Sequence, residues 1–168
     1  MLLFILWSCK DIKATQDPTD ETIQPLITSM YTADPSAHVF DGSLYIYPSH
    51  DYEAGIPEDD FGNHFAMRDY HVFKMNDKME AVDMGKALDV DDVPWAAKQM
   101  WAPDAAYKDG IYYFYFPAKD SLGIFRLGVA TASTPEGPFK AEPKPMEGSF
   151  SIDPTVFEDT DGSFYMYF

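Results

Sequence analysis
The sequence predicts an all-β fold, and three observations carry that prediction. The first is aromatic content: 13 Phe, 11 Tyr and 3 Trp make up 16% of the 168 residues. Such side chains favour the pleated, half-buried surface of a strand. The second is punctuation. Thirteen Pro and ten Gly break the chain often, and no long amphipathic helix period is visible. The third is a repeat, taken up below.

The N-terminus reads MLLFILW and then Ser8 and Cys9. This apolar stretch is too short to span a bilayer and resembles the end of a secretory h-region. Leu6-Trp7-Ser8-Cys9 is similar to a bacterial lipobox, although Trp at its second place and the lack of a basic lead are unusual. Residues 1–24 are therefore expected to be a signal or lipoprotein-like segment with a polar tether, and 25–168 the folded part. The expected location is the periplasm or cell surface of a bacterium, secreted or held by a lipid anchor at Cys9. Cys9 is the one cysteine, so a disulfide framework within the chain is excluded.

Three segments share one pattern: Ala33–Tyr47, Trp101–Tyr115 and Ser151–Tyr167. Each has an Asp beside a Pro, a short apolar run, an Asp-Gly and then alternating aromatics. Asp-Gly between two strand-like runs predicts a hairpin, because Gly accepts the positive φ of a tight turn. The Asp residues of these turns fall at 41, 109 and 161, at intervals of 68 and 52 residues. That spacing suits four-stranded propeller blades. An insertion is expected from Pro48 to Asn63, which is rich in Asp, Glu, Gly and Pro. Further strands are expected at Tyr70–Lys74 and Leu127–Thr131, a turn cluster at Ser133–Pro138, and one helical turn within Asp91–Met100. With the third hairpin close to Phe168, about three blades of a longer propeller are expected.

Twelve Lys and Arg against 28 Asp and Glu leave a net charge of −16. Such a surface repels a phosphate backbone, so no nucleic-acid partner is expected. A neutral polar ligand such as a sugar is compatible with it, as is a simple solubilising role. Asp34, Asp104 and Asp153 stand at equivalent repeat positions, where the first strand of a blade begins. Singly, each reads as a turn-capping Asp. Together they would converge on one channel mouth, at a cost in Coulomb energy that function would have to justify.

Thr32-Ala33-Asp34-Pro35-Ser36, Met100-Trp101-Ala102-Pro103-Asp104 and Ser151-Ile152-Asp153-Pro154, each followed by its hairpin, resemble glycoside hydrolase family 43. The resemblance spans about Tyr31 to Phe168. Tyr47-Pro48-Ser49-His50-Asp51, Asp69-Tyr70-His71-Val72-Phe73 and Phe116-Pro117-Ala118-Lys119-Asp120 are similar to its β-xylosidase or arabinofuranosidase branch. The resemblance implies a five-bladed β-propeller that hydrolyses β-xylosides or α-L-arabinofuranosides with inversion. It implies Asp34 as general base, Asp153 as the carboxylate that orients the acid and raises its pKa, and Trp101 as a wall of the sugar subsite. Trp101 also reads as a core residue at a blade corner. Asp104 is open between a structural role and substrate contact, and His50 and Asp51 between the pocket edge and loop surface.

Inverting hydrolysis needs an ionised and a protonated carboxyl group separated by roughly 6.5–9.5 Å. The family's general acid is a Glu in the next blade. No Glu here matches it, since Glu136, Glu142, Glu147 and Glu158 read as turn or linker charges. The 168-residue chain alone is therefore expected to be inactive. No cofactor is expected to be required. The resemblance allows a structural calcium in the full propeller, held through a His of a later blade, and no metal site is read in this chain. His38 reads as a satisfied polar residue, and His71 as a strand residue without a visible partner. The expected partner is a neutral plant cell-wall oligosaccharide or polysaccharide. β-Xylosidase activity leads, with α-L-arabinofuranosidase and a non-catalytic carbohydrate-binding propeller as alternatives.

Overall fold
The computed structural model describes residues 24–168. The expected anchor at Cys9 and nearly all of the tether lie outside the described residues. Among those residues no helix is long and apolar enough to cross a membrane.

The first sheet is an antiparallel meander of β1 (Tyr31–Phe40), β2 (Ser43–Asp51), β3 (Asp69–Met75) and β4 (Ala81–Asp89), in that spatial order. A 3₁₀ turn, Val90–Asp92, leads out of it. The second sheet holds β5 (Ala96–Lys98), β6 (Asp104–Lys108), β7 (Ile111–Asp120), β8 (Phe125–Ala132) and β9 (Lys140–Ala141). β6 pairs with the first half of β7, and β5 with its far end. β10 (Thr155–Glu158) and β11 (Phe164–Tyr167) form a third, two-stranded sheet. β6 packs against both β1 and β10. The leading strands of three successive sheets are thus neighbours, which is the arrangement of propeller blades around an axis.

The first two Asp-Gly pairs make two-residue turns. Asp41 and Gly42 have φ of 49° and 73°, and Asp109 and Gly110 have 52° and 85°, the positive pair that right-twisted hairpins require. The third connection is longer, because Glu158 pairs with Phe164 and leaves five residues between them. There Asp159 N–H donates to the Ser163 carbonyl at 2.8 Å, and Asp161 accepts from Ser163 N–H at 2.8 Å. Glu158 itself is a strand residue, contrary to the linker reading.

β2 runs three residues past the expected start of the insertion at Pro48, into Ser49, His50 and Asp51. Pro48 cannot donate to the ladder. The β1 register slips between Ala33 and Ser36, so Asp34 and Pro35 bulge out opposite it. Two facing prolines thus open the ladder locally instead of ending the strand.

The core lies between the first two blades. Tyr45 and Tyr47 alternate on β2, Tyr70 and Val72 on β3, and Tyr112, Phe114, Phe116 and Ala118 on β7, as period-2 pleating demands. Phe114 is fully buried and packs on Tyr70 at 4.9 Å and Tyr47 at 6.0 Å from the first sheet and on Phe139, just before β9, at 5.0 Å between centroids. Gly128 on β8 leaves room for Phe116, whose ring would lie 2.4 Å from any added Cβ. Phe114→Ala should therefore cost about 3–5 kcal/mol in urea unfolding. A loss under about 1 kcal/mol would show that this aromatic cluster does not hold the blades together.

Candidate active site
Asp34 lies at the register slip within β1, and Asp153 two residues before β10. Both are held at positive φ, 45° and 54°, and both precede a proline. This region is sparsely populated for non-glycine residues, and the residue before proline avoids helical backbone, so the surroundings impose the conformation. Beside Asp34, the fully buried Ser49 donates its hydroxyl to the Ala33 carbonyl at 3.0 Å.

The two aspartates line one depression of about 260 Å³, together with Ala33, Asp51, Phe65, Met67, Trp101 and Ile152. Partial burial and, second, the negative charge of Asp34 hold the Asp153 carboxyl above the usual carboxylate value. The two acids therefore share one electrostatic environment. An adjoining hollow of about 260 Å³ shares Asp51 and Phe65 and is completed by Tyr31, Tyr52, Glu53 and His64.

Trp101 stands in the loop before β6, and its position is over-determined. Its indole N–H donates to the Phe65 carbonyl at 2.9 Å, and its own carbonyl accepts from the Tyr70 hydroxyl at 2.6 Å. Lys119 Nζ lies over its ring at 5.9 Å and Phe125 packs at 4.6 Å. Buried Gln99 donates to the Gly62 carbonyl at 2.7 Å, and Met100 N–H to the Met67 carbonyl at 2.9 Å. These bonds stitch the insertion to the second blade and deliver Phe65 and Met67 to the depression. Neither was legible in the sequence: both lie beyond the insertion expected at Pro48–Asn63, in the rest of the connection that leads into β3.

Two of the expected substrate contacts lie elsewhere. His50 does not line the depression, because alternation along β2 sends neighbouring side chains to opposite faces and it is Asp51 that enters. Asp104 is 3% exposed and is also absent from the lining. His38 Nε2 lies 2.6 Å from Asp104 Oδ1, which also accepts from Ala105 N–H at 2.9 Å, while Oδ2 accepts from Val156 N–H at 2.7 Å. Asp104 is thus a clamp across three blades: β1 through His38, β6 through its own strand, and β10 through Val156, three residues beyond Asp153. Burial pushes its pKa up, but the His38 contact and the two backbone donors outweigh burial and hold it below the usual value. His71, which the sequence left unpartnered, has Nδ1 at 3.0 Å from Asp83.

The described residues alone do not make up the ligand set of the calcium that the resemblance allows, which would be held through a His of a later blade. Near the leading strands, a hollow of about 270 Å³ is lined by His38, Glu158 and seven apolar or aromatic residues. Asp104 beside it has already committed its oxygens, and calcium asks for six to eight oxygen ligands.

The fold and the depression thus define a β-propeller chain with paired carboxylates at the head of its leading strands. Residues 23–168 match the family described as glycosyl hydrolases family 43, and the chain belongs to that family. It is 60% identical over 147 residues to a xylosidase/arabinosidase 43A of Humicola insolens, covering 86% of this chain and 45% of that protein. It is 56% identical over 143 residues to a β-xylosidase of Xylanibacter ruminicola, covering 83% and 45% respectively. Among solved structures, it resembles a family 43 β-xylosidase/α-arabinofuranosidase from a compost microbial metagenome, in complex with xylotriose and calcium-free. There the TM-score is 0.84 and the identity 64%, over 86% of this chain and 44% of that one. The chain therefore spans somewhat under half the length of these relatives.

The buried Asp104 and the more exposed Asp153 give opposite pH signatures. Asp104 has a depressed folded pKa, so its stabilisation is present at neutral pH and is lost as acidification protonates it. Asp104→Ala should cost about 3 kcal/mol near neutral pH, with the gap to the unmutated chain narrowing in acid. A cost below about 1 kcal/mol in denaturant unfolding would remove the clamp. Asp153 has a raised pKa, so its ionisation opposes folding. Asp153→Asn should slightly raise Tm at pH 7, and the gain should vanish below the ordinary Asp pKa of about 3.9. A lower Tm at pH 7 would contradict the raised pKa of Asp153.

Proposed function
We propose that this chain is the base-bearing part of an inverting, exo-acting glycosidase that releases xylose or arabinose from xylan-derived oligosaccharides. The observation that supports it most is the shared depression of Asp34 and Asp153 walled by Trp101, Phe65 and Met67. An indole face offers the C–H-lined side of a sugar ring a flat apolar platform. Asp34 opens on the same space and is the group to take a proton from the attacking water. Asp153, disfavoured in its ionised form by partial desolvation and then by its neighbour, is the group to raise the pKa of a general acid by like-charge repulsion.

No Glu lines the depression among the described residues. The reading therefore assigns the acid to the part of the family fold that this chain does not span. The named relatives support xylose and arabinose alike. A binding module without turnover is the weaker reading. It would use the aromatic wall but has no use for two aspartates held in a sparsely populated conformation with their charges opposed.

The test uses the chain extended to the full length of its relatives. Asp34→Ala should lower kcat on aryl β-xylosides about a thousandfold with unchanged circular dichroism. Retained turnover would remove Asp34 from the role of base. Absence of any turnover in the extended unmutated protein would favour the binding module.

A further inference from the structure
Away from the depression, the first blade gathers another set of chemistry-bearing side chains. His50 stands near the end of β2, and Asp69 and His71, two residues apart on β3, share a face. One donor atom from each lies within 4.8 Å of the others. The geometry points to a binding site for a divalent transition metal of the zinc class, made by His50, Asp69 and His71.

The donor set selects the ion. Two imidazoles and one carboxylate suit zinc and its neighbours, whereas calcium and magnesium prefer oxygen alone. The site is also braced. His50 Nδ1 is 2.6 Å from Asp69 Oδ1, so a proton bridges two ligand atoms where a metal would sit. Binding needs no net proton loss there: the Nδ1 proton leaves, Nε2 takes one up, and the lone pair on Nδ1 becomes available. On His71, both oxygens of Asp83 lie about Nδ1 at 3.0 and 3.1 Å. A carboxylate on one ring nitrogen is the usual outer support for a histidine that ligates through the other. The side chains of His50, Asp69 and His71 are 25%, 14% and 18% exposed, reachable but shielded from bulk water.

Lys86 is the built-in competitor. Its Nζ lies 3.2 Å from Asp69 Oδ2 and 2.6 Å from Asp89 Oδ2. It is half exposed, and it retains Asp89 as a partner when a metal takes Asp69. A bound ion would staple β2 to β3 beside Asp51, which lines the candidate active site.

The purified chain carrying Cys9→Ser, which removes its one thiol, is titrated with zinc chloride by calorimetry. One Zn²⁺ per chain is expected, at micromolar Kd, with no heat from calcium chloride at the same concentrations. His50→Gln and His71→Gln should each weaken binding at least about tenfold with circular dichroism unchanged. Co²⁺ in the Cys9→Ser chain should broaden the ring-proton NMR signals of His50 and His71, a readout that needs no ligand substitution. Absence of zinc binding, or broadening confined to His38 or His64, would overturn the site.

Discussion
One buried carboxylate sets the relation between the blades. Asp104 takes a contact from His38 on β1 and backbone donors on β6 and β10, so three leading strands meet at a single side chain. Much of the remaining contact between the first two blades is apolar packing, which has little directional preference, with tyrosine hydroxyl bonds such as Tyr70 to Trp101 and Tyr112 to Asp41. A charged acceptor with three partners fixes both distance and orientation. The third sheet is only two strands wide among the described residues, and the backbone hydrogen bond from Val156 to Asp104 ties it to the rest. Since Asp153 stands three residues before Val156, this clamp also governs where the second acid of the depression sits.

The other recurring device is proline used to open a ladder. Pro48 on β2 faces the slipped register at Asp34 and Pro35, and the released Asp34 turns into left-handed backbone. Asp153, also before a proline, adopts the same conformation without a paired strand at that point. A regular strand would have alternated these side chains up and down the sheet. The irregularity turns them toward one depression, where desolvation and then the charge of Asp34 disfavour ionisation of Asp153. Strained backbone and like charge at one place recur at sites used for chemistry, which is the ground for the function proposed above.

Much of the scaffold was legible because it is local. The Asp-Gly turns at 41 and 109 work through the backbone preferences of two adjacent residues, and alternating aromatics on β2 and β7 follow the strand period directly. β4 was not legible, because Gly85 at φ 102° and two slips against β3 break its alternation. β5 is three residues long and is specified by its pairing with the far end of β7, not by its own composition. The third hairpin also forms, but its Asp-Gly sits inside a longer loop closed by Asp159 and Ser163, which the dipeptide alone does not reveal.

By itself, the sequence determined the strand-turn grammar, the repeat, and the three aspartates that the repeat singles out, since these depend on neighbours along the chain. The tertiary structure alone decided which of those aspartates does what. Asp34 and Asp153 share a depression, while Asp104, at the equivalent repeat position, is consumed by His38 and Val156, residues 66 and 52 places away. It also decided that Phe65 and Met67 reach that depression and that His50 turns from it toward Asp69. The physical reason is the same in each case: a side chain's role follows from its partners across blades, and no periodicity within a segment encodes them.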